Sequence, residues 1–597
     1  MTSDETAAGA NLERLNANIS KIETLSQRLV AALANKRVID PSLQGPGQDL
    51  FMKAATAYMS EMMQNPGKII EHQASYWGKV LKHYVDAQRA LASGRIAAPE
   101  DTTPDDRRFS NPLWETHPYF NFIKQNYLFT AEAIEGAVKD LGTIDGADKA
   151  RIEYFTQQII DMFAPTNFLA TNPEALERAV ETEGQSLVDG LENLVRDIEA
   201  NHGDLLVSLA DPKAFKVGQN LATTKGSVVY RNRLFELIQY SPTTDTVFKT
   251  PLILFPPWIN KFYILDLKEK NSLIKWIVDQ GYTLFVVSWK NPDPSYAAVG
   301  LDDYVQEGYL TAVDQVKQIT GETGVNAIGY CIAGTTLSLT LGLMAKRGDT
   351  SIKAVTFFTT MTDFSDQGEF TVFLDDDFVD GIEREVNEHG VLQSFFMSRT
   401  FSYLRSNDLV YGPAIKSYML GQTPPAFDLL YWNGDGTNLP AKMTVDYLRG
   451  LCQRNLFADE GYPLCGETVS ARDVKTPFFA VACETDHIAA WKASYRGLQK
   501  FASRSKTFVM SESGHIAGIV NPPSKKKYGH YVNPGMKGDA DAWLKDAEFR
   551  EGSWWPHWHE WLRKRSGKQV PARSPGDSAH PELAPAPGTY VMPLETV

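Results

Sequence analysis

From about residue 213 onward, short apolar runs alternate with helical stretches, and this alternation limits the possible folds more than any other feature of the chain. The runs are "GSVVYRNRLFELIQY" (226–240), "TPLILFPP" (250–257), "YTLFVVSW" (282–289), "VNAIGY" (325–330), "IKAVTFFTT" (352–360), "TPFFAVACETD" (476–486) and "KTFVMSESGH" (506–515). They are rich in β-branched and aromatic residues, as strands are. Their near-continuous apolar character suits strands covered on both faces. Strand and helix in alternation predict a parallel sheet with helices on both sides, an α/β fold. The rhythm breaks between about 365 and 472, a long aromatic and irregular interval containing "FDLLYWNGDGTNLP" (427–440). That interval reads as an insertion, a cap over the site. The tail from about 566 is proline-rich and is expected to be extended with little regular structure.

Residues 1–210 read differently, as an α-helical N-terminal domain before a catalytic domain over 211–597. Leu12, Leu15, Ile19, Ile22, Leu25, Leu29 and Leu33 recur at spacings of three and four, one apolar stripe along a helix. Such a stripe packs on its own domain or meets a partner surface. The first residues, "MTSDETAAGANLERLNANIS", carry early acids and no apolar core, unlike a secretory signal. No run approaches the ~18 apolar residues of a membrane helix, so a cytoplasmic protein without a transmembrane segment is expected. A net charge of −14 argues against nucleic acid as the main partner. The four cysteines, Cys331, Cys452, Cys465 and Cys483, contain no C-x-x-C pair. They form neither a disulfide framework nor a zinc site, and no metal is expected. Three of them read as small buried hydrophobes.

Cys331 is the exception. "AIGYCIAGTT" (327–336) has the outline of G-x-S-x-G with a thiol in place of the hydroxyl. "VNAIGY" is a strand and "AGTTLSLTLGLMAKRG" begins a helix, so Cys331 falls on a strand-to-helix turn, the setting of a nucleophile elbow. Such a turn is strained and crowded, which requires Gly329 and Ala333 to be small; Ala333 stands where glycine is usual, with Gly334 next to it. A helix N-terminus favours a thiolate and aims backbone N–H groups at an oxyanion. The Ile332 N–H is the natural first donor, and a second is expected from the loop "PPWINKFY" (256–263). In hydrolases of this outline the order along the chain is nucleophile, acid, histidine. Asp486 lies just past one strand and His515 just past the next, so Cys331, Asp486 and His515 fall in that order. His487 adjoins the acid and reads equally as a pocket residue or a helix-start residue.

The chain resembles the polyhydroxyalkanoate synthases, which polymerise 3-hydroxyacyl-CoA into storage polyester. The resemblance is carried by "NPLWETHPYF" (111–120), "PTNFLATNPEA", "FKVGQNLATTKGSVVYRN" (215–232), "PPWINKFYILDLK" (256–268), "GYCIAGT", "YWNGDGTNLP", "ETDHIAAW", "SGHIAGIVNPP" and "GSWWPHWHEWL" (552–562). Length, the helical N-terminal domain and "GYCIAGT" resemble the single-subunit class that prefers short-chain monomers. The resemblance implies an α/β-hydrolase fold, Cys331 as nucleophile, His515 as its base and Asp486 as the third catalytic residue. It also implies a homodimer, attachment to polyester granules and phasin-like neighbours. No cofactor is expected, coenzyme A being part of the substrate and a product.

A thiol suits this chemistry. A cysteine accepts an acyl group from a thioester with little change in bond free energy, whereas a serine would trap it as a stable oxoester. Each cycle activates a thiol, deprotonates a hydroxyl and holds an oxyanion. Asp486 either orients His515 or helps it activate the substrate hydroxyl; the elongation step is the favoured one. Lys525, Lys526 and Lys527 could meet the phosphates of coenzyme A, or form a solvated basic loop. Trp554, Trp555, Trp558 and Trp561 read as helix packing more than as a polymer track. Trp432 and Asn433 have no assigned role at this level. Two other functions fit parts of the pattern: a cysteine hydrolase releasing free acid, and a non-catalytic granule-coat protein.

Overall fold

The computed structural model describes residues 3–34, 36, 43, 48–64, 66–92, 106–142, 144 and 146–592. The chain divides into two compact units, one of residues 1–211 and 399–425, the other of 212–398 and 426–597. The interval read as a single cap is therefore split, because 399–425 groups with the helical unit.

The helical unit contains α1 (Ser3–Ala34), α2 (Gln48–Gln64), α3 (Pro66–Ala92), α4 (Pro118–Lys139), α5 (Gly146–Met162), α6 (Pro173–Glu181) and α7 (Gln185–Ala200). Helix α1 packs on α7, with Leu25 buried and Arg28 paired to Glu199 at 2.6 Å. The apolar stripe of α1 is only partly used there. Ile19, Ile22 and Leu33 stay exposed, and the side chains of Leu12 and Leu15 lie outside the described set.

The second unit is built on an eleven-stranded sheet. Its strands are β1 (Gly226–Arg231), β2 (Phe235–Tyr240), β3 (Leu252–Phe255), β4 (Leu284–Trp289), β5 (Val325–Tyr330), β6 (Ile352–Phe358), β7 (Phe478–Cys483), β8 (Lys506–Ser511), β9 (His530–Val532), β10 (Glu548–Arg550) and β11 (Ala584–Pro585). Their order across the sheet is β10-β9-β8-β7-β6-β5-β3-β4-β2-β1-β11. Strands β4, β3, β5, β6, β7 and β8 run parallel, and antiparallel strands flank them on both sides. Every residue of β3, β4, β5 and β7 is buried, as the continuous apolar runs require. The connecting helices include α8 (Leu273–Asp279), α9 (Thr311–Thr320), α10 (Ile332–Lys346), α11 (Trp491–Gln499) and α12 (Trp555–Arg563). This is the α/β-hydrolase architecture. No described helix is long and apolar enough to cross a membrane.

The tail is extended with little regular structure, as expected, and two short pairings tie it down: β11 adds to β1, and Gln569–Pro571 pairs with Thr246–Phe248. The anchor is Glu236, a fully buried carboxylate on β2. It accepts hydrogen bonds from Arg231 Nε (2.8 Å), Thr589 Oγ1 (2.8 Å), Thr589 N (2.8 Å) and Tyr590 N (3.0 Å). A buried charge needs such partners, and most of them come from the tail.

Candidate active site

Strands β3 and β5 are neighbours, with Phe255 opposite Gly329, so the loop after β3 emerges beside the turn after β5. On that turn Cys331 has φ 54° and ψ −127°, a strained backbone for a side chain with a Cβ. Its N–H is tied to the end of β6 through Phe358 O at 2.8 Å. The tightness comes from two glycines: a Cβ on Gly329 would lie 2.6 Å from Gly334 Cα, and one on Gly334 2.0 Å from Thr360 Oγ1. Gly334 thus supplies the smallness usual one position earlier, and the buried Ala333 is accommodated, with its carbonyl accepting from Tyr309 Oη at 3.0 Å. Ile332 opens α10, so its N–H belongs to the first turn, where a helix has no internal acceptor.

The three expected side chains converge. Asp486 follows β7 and is buried; its Oδ1 accepts from the N–H groups of Ile488 (2.8 Å) and Ala489 (2.9 Å). Its Oδ2 lies 2.7 Å from His515 Nδ1. A carboxylate only accepts, so Nδ1 carries a proton and Nε2 is the ring nitrogen left to exchange one with the reacting groups. Burial alone would lower the pKa of His515. The Asp486 carboxylate and the hydrogen-bonded Cys331 sulfur outweigh it and hold the imidazole well above its ordinary range. Asp363, just after β6, is taken up by Lys500 at 2.8 Å. The other cysteines are unsuited to attack. Burial pushes the Cys452 thiol up to about 12 and that of Cys483 well above its usual range, and Cys465 is also raised by burial.

Several contributors were not legible in the sequence. Tyr330, the residue before the nucleophile, stacks on His515 with ring centroids 5.8 Å apart and donates its hydroxyl to His515 O at 3.2 Å. Tyr447, on the π-helical turn Asp446–Gln453 of the insertion, packs edge-on against Trp258 of the loop after β3, with ring centroids 5.6 Å apart. "TVDYLRG" lies in the interval read as irregular and gives no signal of this. The tryptophans of α12 pack rather than line a track: Trp554, Trp555 and Trp558 are fully buried. Trp554 and Trp555 also donate indole N–H groups to Gly518 O (2.8 Å) and Ile519 O (2.9 Å), pinning the loop that carries His515. Lys525, Lys526 and Lys527 are exposed, with the Lys527 ammonium over the Tyr528 ring at 4.6 Å. His487 is half-buried beside Asp486. Among the described residues no cluster of His, Cys, Asp and Glu could hold a metal ion.

The chain is similar to known proteins along most of its length. Residues 105–277 match the family described as poly-beta-hydroxybutyrate polymerase (PhaC) N-terminus, and residues 251–522 match the alpha/beta hydrolase fold. The poly(3-hydroxyalkanoate) polymerase of Methylorubrum extorquens is 38% identical over 603 residues, 98% of each chain. The polymerase subunit PhaC of Rhizobium meliloti (strain 1021) is 38% identical, covering 92% of this chain and 90% of that one. The corresponding subunit of Cupriavidus necator is 37% identical, covering 86% and 87%. Among solved structures, a monoacylglycerol lipase from Paleococcus ferrophilus is matched at 12% identity over 47% of this chain and 90% of its own, with a TM-score of 0.29. With likeness to the polymerases along nearly its whole length, the chain belongs to the poly(3-hydroxyalkanoate) polymerase family.

Proposed function

We propose that the protein polymerises short-chain (R)-3-hydroxyacyl-CoA, such as 3-hydroxybutyryl-CoA, into polyhydroxyalkanoate with release of coenzyme A. The observation that carries the reading is the relay from Asp486 through His515 to a cysteine on a strained elbow. The Cys331 thiolate attacks the thioester carbonyl. The Ile332 N–H and an N–H of the 256–263 loop hold the oxyanion. Collapse breaks the carbon–sulfur bond to coenzyme A, whose thiolate takes the proton from His515. A 3-hydroxyl group then attacks the Cys331 thioester while His515 Nε2 accepts its proton; the carbon–oxygen ester bond forms, the carbon–sulfur bond to Cys331 breaks, and the Cys331 thiolate is returned beside protonated His515 for the next acylation.

Exclusion of water separates polymerisation from hydrolysis, and the insertion that sets Tyr447 against Trp258 of the loop after β3 supports that role. Among the described residues, nineteen of the twenty-two exposed large apolar side chains lie in the helical unit. This supports the helical unit as the surface that meets a polyester granule and phasin-like proteins, on a cytoplasmic enzyme working as a homodimer without a cofactor. The test is purified protein with 3-hydroxybutyryl-CoA, following thiol release and polymer together. Polymer with stoichiometric coenzyme A is expected. Free 3-hydroxybutyrate as the main product would replace the reading with a thioesterase.

A further inference from the structure

The loop that follows β3 is gripped by a hexapeptide of the insertion, residues 432–437, in a way that neither packing nor the triad requires. Trp432 is buried and donates its indole N–H to Lys261 O at 2.7 Å. The Lys261 ammonium, only 4% exposed, lies 2.6 Å from Asp435 Oδ1. The other Asp435 oxygen accepts from Tyr263 Oη at 2.8 Å. The backbone joins in: Asn260 bridges to Gly436, and Thr437 N donates to Ile259 O at 3.3 Å. On its other side the same loop is fixed to the nucleophile helix, because the fully buried Trp258 donates to Thr336 Oγ1 of α10 at 3.1 Å. Asn260 N turns back to Pro257 O at 3.4 Å. Among the described residues, the N–H groups of Trp258 and Ile259 have no acceptor.

An ion pair that takes a lysine out of water is a poor device for stability alone. Replacing one by well-packed apolar residues is often neutral or stabilising. What it does supply is direction, since two charged groups and an indole N–H each accept only a narrow range of geometry. Lys261 is neutralised by Asp435, so it is not itself the group that meets a developing oxyanion. The charge clamp instead sets the backbone next to it, and that backbone holds two unused N–H donors beside the elbow.

We propose that Trp432, Asp435 and Lys261 are positioning residues for the acyl-transfer oxyanion: they lock the 258–261 backbone so that an N–H of Trp258 or Ile259 faces the carbonyl attacked by Cys331. The inference rests on the acyl-cysteine reading above. It gives the "YWNGDGT" segment a mechanical role in the reaction.

The test uses the full chain with Trp432→Phe, which removes one hydrogen bond and keeps the aromatic volume, and with Asp435→Asn. Deleting a single oxyanion donor costs ~10²–10³-fold in turnover, so displacing one is expected to lower kcat about 10–100-fold while KM changes by less than about 3-fold. Alkylation of Cys331 by iodoacetamide needs no oxyanion donor and is expected to keep its wild-type rate in both variants. Unchanged kcat in Trp432→Phe and Asp435→Asn would overturn the proposal. A parallel fall in kcat and alkylation rate would also overturn it, since the damage would then be to the Cys331–His515 pair. If Asp435→Asn does not fold, Trp432→Phe together with Tyr263→Phe decides on the same two readouts. Full turnover in Cys331→Ala would instead refute the acyl-cysteine reading, an outcome distinct from any of these.

Discussion

Replacing Asp486 by asparagine separates the two half-reactions, and the structure says by how much. The Asp486 Oδ1 atom is held by two backbone N–H groups at 2.8 and 2.9 Å. Only the amide oxygen of asparagine can occupy that position, so its NH₂ turns towards His515 Nδ1. His515 must then accept at Nδ1 and carry its proton on Nε2, the atom that serves as base. Loss of the base acts unequally on the two nucleophiles. An ordinary thiol with pKa ~8.5 is about 3% thiolate at pH 7 without assistance, so acylation of Cys331 is expected to slow by at most ~30-fold. A hydroxyl has no such reserve, and elongation is expected to lose the full ~10²–10⁴-fold of general-base help. Asp486→Asn should therefore release about one equivalent of coenzyme A per active site and stall with a short chain on Cys331. The assay is single-turnover release from labelled 3-hydroxybutyryl-CoA, with mass spectrometry of the intact protein. Elongation at the wild-type rate would remove the Asp486–His515 contact from the mechanism. Equal slowing of both steps by more than ~10³-fold would show that the thiol depends on His515 as fully as the hydroxyl does.

Three further outcomes are expected. Iodoacetamide near neutral pH should modify Cys331 alone and abolish activity, because burial raises the pKa of the other three thiols; labelling of Cys452 or Cys483 in the folded protein would contradict their burial. The His557 pKa is lowered to about 4, by burial first and then by His530 and Arg550. Unfolded histidine titrates near 6.5, so the folded chain binds fewer protons than the unfolded one as pH falls. Its contribution is present above pH ~6.5 and lost between there and about 4, amounting to about 1–2 kcal/mol after solvent screening of a half-exposed ring. Urea midpoints of His557→Phe should then vary less over that window than those of the parent, and parallel curves would count against the reasoning. Truncation after Pro575 removes β11 and the Thr589 and Tyr590 donors to Glu236, and should cost ~3 kcal/mol or more in chemical denaturation; an unchanged midpoint would mean that the tail is not an anchor.

What the amino-acid sequence determined alone was local. Apolar runs and their spacing specify which segments are strands, and every parallel strand of the sheet lies within a run read that way. A thiol between a strand and a helix, a carboxylate past the next-but-one strand and a histidine past the one after could be read as ordered candidates because each sits at a strand end. The same local reading missed whatever depends on partners far along the chain. Trp432 and Lys261 are 171 positions apart, Glu236 and Thr589 353, and Trp554 and Gly518 36. Their meaning arises from a directional hydrogen bond to one particular distant group. Periodicity is a property of a segment and carries no information about such a partner. The tail shows this most plainly: prolines discourage regular structure, yet a buried carboxylate on β2 and an open sheet edge at β1 draw it into pairing. Tyr447 and the oxyanion loop follow the same rule, since tertiary packing alone decides which side chain of an irregular insertion meets Trp258 and which backbone N–H groups are left without an acceptor.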